Sequence, residues 1–248
     1  YIMRDSKTLY NQIPIDCTRL IEHVRIIDNN IVYPEQAFHD IITLFQTRHR
    51  LHRQVYCHKG VIAAQHLIIE LFISLDPILN LAESINNMED FCKITDSYVL
   101  KAVNILSLPS VTLNPIYKAN LEEARVLSNK LESHQMYTFV DSHVSKSKID
   151  MSDIFKSNKN VVIYQTKVGY VSGNKKNPLD DIYVYKTKDT AKSHKLEATK
   201  QNKEDITILM SNVYQEYITM IYYKNKLAFD EIDAVKLSFR EYVRFCEH

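Results

Sequence analysis

The sequence predicts a mainly α-helical protein that ends in a small α+β lobe. Only 3 of its 248 residues are glycine, well below the average usage of about 7%, and a scarcity of tight turns favours helices. Apolar residues recur at helical spacing through the first half of the chain. From Met136 onward, short alternating segments rich in Val, Ile and Tyr indicate strands. We therefore expect a helical body over residues 1–133 and an α+β lobe over residues 134–248.

The beginning of the chain predicts two helices and a hairpin. Residues 1–10 are expected to form the end of a helix that began before Tyr1. Asp16 is a suitable N-cap for a short helix over residues 18–23. Residues 24–33 form two apolar stretches around an Asp-Asn-Asn turn, which predicts a hairpin.

The central part of the chain predicts two consecutive helices. Residues 36–59 contain neither Pro nor Gly and predict one long helix. Residues 60–75 are apolar nearly all round and predict a buried helix that Asp76-Pro77 should end. The remaining predicted helices cover residues 87–105 (two short segments with Asp96 as a cap), 116–133, 207–223 and 229–246, and the predicted strands cover residues 136–140, 161–167 and 182–187.

Composition excludes several classes of protein. A net charge of +1 gives no global field that would attract nucleic acid or a membrane. The four cysteines are far apart without a CxxC pair, so we expect a reducing, intracellular compartment and no zinc site. No uninterrupted apolar run reaches 18 residues, so neither a membrane-spanning helix nor a signal peptide is expected. The chain begins with Tyr, and we expect it to be a piece of a longer protein.

The second half of the central helix carries a basic stripe. Arg48, His52 and Tyr56 stand at positions i, i+4 and i+8 and so share one helix face. No Asp or Glu occurs between Asp40 and Glu70. Arg and His can donate to phosphate oxygens while a tyrosine ring packs on a sugar or base, so the stripe fits a nucleotide-like anion. A solvated helix face fits the same pattern, and the residues alone leave both interpretations open.

Four stretches, in order along the chain, resemble one enzyme family. LFQTRHRLHRQVYCHK (residues 44–59) is similar to the motif Phe-His-Thr-Arg-x-x-Leu-His-Arg-x-x-Tyr-x-His-Lys of the HD-domain dNTP triphosphohydrolases, and most of all to the eukaryotic members with a SAM domain. Gln46 and Cys57 depart from it. YIMRD, NNMEDFCKITDSYVL and KKNPLDDIYVYKT resemble three further segments of that family. The resemblance implies that residues 1–133 are the later helices of an HD domain and that the rest is the family's C-terminal lobe.

The resemblance also implies a substrate site. In the family, the matching arginine and histidine of the central helix contact the dNTP, and the matching tyrosine crowds the 2′ position of the sugar. The matching tyrosine and aspartate of the first segment line the sugar pocket, the aspartate near the 3′-hydroxyl. Cys57 stands where the family has a glutamine near the base, which leaves base recognition open. The substrate-binding residues that we expect are Tyr1, Asp5, Arg48, His52 and Tyr56.

Metal chemistry is expected outside this chain. The family binds a divalent metal ion through His, His-Asp and a distant Asp, and a metal-bound water attacks the α-phosphorus. The resemblance puts those ligands upstream of Tyr1. His39-Asp40 imitates the motif but aligns with a non-metal part of the central helix, so we expect an ordinary surface pair. The histidines show no H-E-x-x-H spacing, and we expect neither a catalytic nor a metal-binding residue among these 248.

The resemblance further implies regulation by nucleotides. Eukaryotic members assemble into active tetramers when guanine nucleotides and dNTPs fill sites between subunits, and Arg19, His58 and Lys59 match residues of those sites. Four other positions lack the family's cation, so we expect no activation by GTP or dGTP. These positions are Pro34, Gln36, His134 and Thr187.

Two functions follow as hypotheses. The first is a metal-dependent dNTP triphosphohydrolase of dNTP metabolism, nuclear or cytoplasmic and assembled as a dimer or tetramer, to which this chain contributes phosphate- and sugar-binding residues. The second is a catalytically inactive HD-domain relative that acts as a nucleic-acid-binding or scaffold subunit. Its nucleic-acid contact would come from the lysine-rich loop that follows Tyr185, although acidic residues dilute that loop and a solvated loop fits it better.

Overall fold

The computed structural model describes residues 1–10, 15–151, 154–155, 158–169, 178–186, 197–200, 215–225 and 229–247. They belong to two compact units. Unit 1 comprises residues 1–58, 142–150 and 165–219, and unit 2 comprises residues 59–141, 151–164 and 220–248. Helices predominate and two small sheets accompany them, as the sequence predicts. A boundary between residues 133 and 134 stays a prediction, as does the assignment of the helices to an HD domain.

The beginning of unit 1 follows the sequence prediction closely. Helix α1 spans Ile2–Tyr10. Helix α2 spans Cys17–Glu22, and the Asp16 carboxylate accepts the backbone N–H of Arg19 at 3.1 Å, which makes Asp16 the predicted N-cap.

The predicted hairpin is the next element of unit 1. Strands β1, Arg25–Ile27, and β2, Asn30–Pro34, pair antiparallel. Asp28 and Asn29 between them have φ values of 47° and 59°. Both are residue types that tolerate the left-handed region, as a two-residue hairpin turn requires.

The central helix consists of three segments rather than one. A 3₁₀ turn at Glu35–Ala37 leads into helix α3, Phe38–Leu51, and a π-helical turn follows at His52–Tyr56. The N–H of Cys57 donates to the carbonyl of His52 at 2.9 Å, the i→i+5 bond of a π-helix. The prediction of an unbroken helix to residue 59 is therefore wrong at its end, because Cys57 (φ −97°, ψ 23°) leaves helical geometry.

A four-stranded sheet and a small core complete the main part of unit 1. Strands β5, Tyr183–Tyr185, and β6, Thr199–Lys200, extend the hairpin in the order β1-β2-β5-β6, with β2 and β5 parallel. Apolar residues of α2, α3 and β5 pack together as a buried cluster, so the first half of the central helix is anchored by burial. Its buried members are Leu20, Ala37, Phe38, Ile41, Leu179 and Val184.

Unit 2 is built on a long apolar helix. Helix α4 spans Lys59–Leu79 and packs against α7, Lys118–Glu132, which also contacts α6, Asp96–Leu106. Helix α4 continues past the predicted end at Asp76-Pro77, because the N–H of Asn80 still donates to the carbonyl of Asp76 at 2.8 Å. The short α5, Met88–Phe91, and the terminal α8, Phe229–Glu247, lie in the same unit.

A three-stranded sheet runs through both units. Its strands are β3, Thr138–Ser145, β4, Val161–Gly169, and β7, Gln215–Tyr223, in the order β3-β7-β4. The helix predicted over residues 207–223 is wrong from Gln215 onward, and residues 207–214 lie outside the described residues. The segment QEYITMIYY is rich in β-branched and aromatic residues, which favour a pleated, half-buried surface.

One helix of the described residues is long and apolar enough to cross a membrane by length and composition alone. It is α4, with a mean hydropathy of 1.6 over its most apolar stretch. Leu67, Leu71 and Leu75 of this helix are fully buried within the protein. A core helix passes the same test, so α4 is weak support for a membrane span.

We predict that Leu71→Ala destabilises unit 2 by about 2–5 kcal/mol, because it removes a fully buried side chain and leaves a cavity. Ile73→Ala, on the same helix but 66% exposed, should change the free energy of unfolding by no more than about 0.5 kcal/mol. Urea denaturation monitored by circular dichroism compares the two variants. Equal losses would contradict the packing of α4 described above.

Candidate functional site

Four of the five predicted substrate-binding residues meet in unit 1, where α1 contacts the end of the central helix. The rings of His52 and Tyr56 stand edge to face with centroids 5.0 Å apart. The Tyr1 ring lies 6.5 Å from the His52 ring and 6.2 Å from the Tyr56 ring. The Tyr56 hydroxyl donates to the Asp5 carboxylate. We call Tyr1, Asp5, His52 and Tyr56 the tyrosine–histidine cluster.

Hydrogen bonds set the protonation of two members of the cluster. The Arg4 guanidinium donates to Asp5 at 2.7 Å. Together with the Tyr56 hydroxyl it holds the pKa of the Asp5 carboxyl below its usual range. Burial and the hydrogen bond to Asp5 raise the pKa of Tyr56 to about 12. At neutral pH the cluster therefore contains an ionised carboxylate and a protonated phenol.

His52 is a neutral imidazole at neutral pH. Burial lowers the pKa of His52, and the positive charge of Arg48 one turn earlier lowers it further, with a smaller contribution from His49. Its Nε2 atom lies 3.5 Å from the Tyr1 hydroxyl. A neutral imidazole offers one N–H donor and one acceptor nitrogen, so His52 can bind either a phosphate oxygen or a hydroxyl group.

Arg48 is fixed by the backbone of strand β4. Its Nη1 atom donates to the carbonyl of Gly169 at 2.7 Å. Like His52 and Tyr56, Arg48 is partly buried, whereas the neighbouring Arg50 and Arg53 are exposed. The predicted face of the helix is thus an inward-facing one, which favours a pocket wall over the solvated face that the sequence pattern left open.

A second set of contacts attaches α1 to the central helix. The Arg50 guanidinium stacks on the Tyr10 ring at 4.4 Å, and the Tyr10 hydroxyl donates to the Gln54 side chain at 3.3 Å. Arg50 Nε donates to the same Gln54 oxygen at 3.2 Å. These contacts hold the C-terminal end of α1, while Asp5 holds its middle.

The residues that match the family's regulatory sites are dispersed along the chain. Arg19 is exposed on α2 and His58 is exposed in the turn after the π-helical segment. Lys59 begins α4, and its ammonium group lies 5.4 Å from the centroid of the Phe139 ring. A regulatory role for these three residues stays a prediction.

The residues present do not fit the divalent metal ion that the resemblance implies. Within the described ranges, no group of three or more His, Cys, Asp or Glu side chains could hold a metal ion. His39 is exposed on α3. Asp5 is engaged by Arg4 and Tyr56.

Unit 2 contains an apolar cavity of about 400 Å³. None of the predicted site residues lines it, and Asp76 is the one charged residue in its wall. A nucleotide site needs convergent donors for phosphate, so this cavity is a poor candidate for one. Its lining residues are Phe72, Ile73, Asp76, Leu81, Ala82, Ile85, Phe91 and Ile94.

No protein-family profile matches the chain, but curated relatives do. It is 33% identical over 208 residues, 75% of its length, to an HD domain-containing protein of Acanthamoeba polyphaga mimivirus, and covers 44% of that protein. It is 25% identical over 256 residues, 98% of its length, to the deoxynucleoside triphosphate triphosphohydrolase SAMHD1 homolog of Dictyostelium discoideum, and covers 46% of that protein. The chain resembles the SAMHD1 triphosphohydrolases.

The resemblance extends to the SAMHD1 enzyme of Mus musculus, with 24% identity over 261 residues, 91% of the chain. The chain spans 38% of that protein, and less than half the length of each of the three relatives. The family predicted from the four motifs is therefore confirmed at the level of sequence similarity.

Sequence reasoning missed two partners of the central helix. The carbonyl of Gly169 fixes Arg48, and nothing in a sequence marks a backbone carbonyl as an acceptor. Glu216 on β7 pairs with Arg53 at 3.2 Å and lies 3.4 Å from His49 Nε2. The absence of acidic residues between Asp40 and Glu70 indicates that a counter-charge must come from elsewhere, but not which residue supplies it.

We predict that Asp5→Asn lowers the pKa of Tyr56 from about 12 toward its ordinary value of about 10, because the substitution removes the carboxylate charge. The raised pKa stabilises the fold at pH values below about 10, and this contribution is lost as the pH rises from about 10 to about 12. Titration of ¹³Cζ-labelled tyrosine by NMR, with Tyr56→Phe to assign the signal, measures the shift. Asp90→Asn, at an exposed ion pair on α5, is the control and should leave the signal unchanged.

Proposed function

We propose that the protein to which this chain belongs is a dNTP triphosphohydrolase, which cleaves a dNTP into a deoxynucleoside and triphosphate. The observation that carries the proposal is the convergence of Tyr1, Asp5, His52 and Tyr56 beside Arg48, on the segments most similar to the SAMHD1 enzymes. The names of those relatives supply the reaction. The chain contributes the walls of the substrate site in this proposal.

The phosphate end of the substrate lies at Arg48 in this proposal. The Nη1 bond to the Gly169 carbonyl fixes the plane of the guanidinium, so its donor fork is oriented before the ligand arrives. His52, one turn away, donates a hydrogen bond as a neutral imidazole. Because a bound phosphate would favour the charged imidazolium, dNTP binding should raise the pKa of His52.

The sugar end lies at the tyrosine–histidine cluster. The ionised Asp5 carboxylate is an acceptor for a sugar hydroxyl, and Arg4 and Tyr56 hold it in place. The rings of Tyr1 and Tyr56 provide apolar surface for the deoxyribose. Because the Tyr56 hydroxyl already donates to Asp5, its ring is fixed against the position where a 2′-hydroxyl would stand in a ribonucleotide.

We further propose that the divalent metal ion and the catalytic groups belong to a part of the protein that precedes Tyr1, since the family's His, His-Asp and Asp set has no match in these 248 residues. The protein is proposed to assemble as a homodimer or homotetramer and to act in the nucleus or cytoplasm. Arg19, His58 and Lys59 are proposed as contacts for a regulatory nucleotide.

The central test is Arg48→Ala in the complete protein. We predict that it lowers kcat/KM for dNTP hydrolysis roughly 10- to 150-fold, because one charge-assisted phosphate contact contributes about 1.5–3 kcal/mol. Release of triphosphate from dGTP, followed by ³¹P NMR, gives the rate. Arg125→Ala removes an arginine from an exposed ion pair on α7 and should leave the rate unchanged. Equal losses in both variants would contradict a phosphate contact at Arg48.

A second test uses the 248-residue chain by itself. We predict that it releases no triphosphate from dGTP in the presence of Mg²⁺ or Mn²⁺, because the chain supplies substrate contacts and not the metal ligands. Clear turnover by this chain would contradict the proposed location of the catalytic centre. If the complete protein binds single-stranded nucleic acid but hydrolyses no dNTP, the inactive, nucleic-acid-binding relative is the better description.

A further inference from the structure

The side chain of Glu216 is 17% exposed, and its partners lie on the central helix. Arg53 Nη1 donates to both carboxylate oxygens, at 3.2 and 3.3 Å. His49 Nε2 lies 3.4 Å from one of them. A largely buried carboxylate is costly unless it is paired and hydrogen-bonded, so this arrangement ties strand β7 to the helix.

The two partners stand on either side of the junction between α-helix and π-helix. His49 belongs to the last turn of α3, and Arg53 is the second residue of the π-helical turn. They are separated by four residues, so one carboxylate bridges both. A π-helical turn is rare and occurs mostly at functional sites. The bridge therefore stabilises, from outside the helix, a local geometry that sequence propensity does not favour.

The proposed substrate contacts occupy the neighbouring positions. Arg48 directly precedes His49, and His52 directly precedes Arg53. Arg48 is itself held by the last residue of β4, Gly169, and β4 is the neighbour of β7 in the sheet. Two adjacent strands thus hold one side of the helix junction, and the tyrosine–histidine cluster is on residues that alternate with theirs.

We propose that Glu216 is a positioning residue for the dNTP site: by bridging His49 and Arg53 it fixes the π-helical turn, and thereby the placement of His52 and Tyr56 against Tyr1 and Asp5. The activity arm of this proposal rests on the proposed function. The geometric arm concerns the cluster alone and does not depend on which ligand it takes.

The experiment compares Glu216→Gln with Asp141→Asn in the complete protein. Asp141 is a matched control, since its carboxylate is also 17% exposed and accepts from Arg240 of α8 at 2.7 Å, in unit 2. For Glu216→Gln we expect a shift of the Tyr56 ¹³Cζ signal and a loss in kcat/KM for dGTP of roughly 10- to 100-fold, as a displaced binding group gives. Asp141→Asn should leave both unchanged.

A second variant covers a failure of Glu216→Gln to fold. Arg53 is 48% exposed, so Arg53→Gln should be tolerated and should shift the Tyr56 signal in the same direction. The charge-exchanged pair Glu216→Arg with Arg53→Glu should restore part of the signal and of kcat/KM. A merely structural ion pair would change stability without moving the Tyr56 signal away from that of Asp141→Asn.

The outcomes separate the two proposals. If the wild-type protein hydrolyses dGTP but Glu216→Gln and Arg53→Gln behave like Asp141→Asn in both measurements, the positioning role is wrong and the proposed function stands. If the wild-type protein hydrolyses no dNTP, the proposed function is wrong, and the Tyr56 signal alone decides whether Glu216 positions the cluster.

Discussion

The positive charge on the end of the central helix is the constraint on which the described site depends. The helix carries no acidic residue after Asp40 and the next one in the chain is Glu70, so its cations cannot be neutralised by neighbours one turn away. Compensation comes from segments distant in sequence. Gly169 provides a carbonyl dipole for Arg48 and Glu216 provides a carboxylate for Arg53, which makes the orientation of the helix dependent on strands β4 and β7.

The same charge distribution gives the site two chemically different ends. Near Arg48 the field and the burial keep His52 neutral, so that end offers one fixed cation and one hydrogen-bonding ring. Near α1 the Asp5 carboxylate remains ionised and Tyr56 remains protonated. A ligand with an anionic end and a hydroxyl-bearing end is complementary to this arrangement, because each end meets groups of the opposite hydrogen-bonding character. Arg50, stacked on Tyr10, contributes to the attachment of α1 rather than to either end.

The predictions made from the sequence succeed where the signal is local. The Asp16 cap, the hairpin turn at Asp28-Asn29 and the helical face of Arg48 depend on neighbours within one or two turns, and the structure has each of them. The prediction fails at β7, where an apolar run of helical length forms a strand. Periodicity cannot distinguish a buried strand from a buried helix in a short apolar run, and the sheet that selects the strand is made of distant segments.

The assembly of the site shows the same division. The resemblance to the family selected Tyr1 and Asp5, which have no significance as isolated letters, and the structure brings them to His52 and Tyr56. The π-helical turn and the bridge at Glu216 have no local signature that could have predicted them. They arise from three-dimensional contacts between the central helix and a sheet whose strands are more than 100 residues later in the chain.

The departure at Cys57 changes one property of the proposed site and leaves the others intact. The family has a glutamine there, with an amide that can both donate and accept hydrogen bonds, whereas Cys57 is 6% exposed and burial raises the pKa of its thiol. A buried, protonated thiol is a weak donor and a weak acceptor. The groups proposed for phosphate and sugar, Arg48 and Asp5, do not involve this position. A site of this kind would hold the triphosphate and deoxyribose firmly while reading the base weakly from this wall, so discrimination among the four dNTPs has to come from groups other than Cys57.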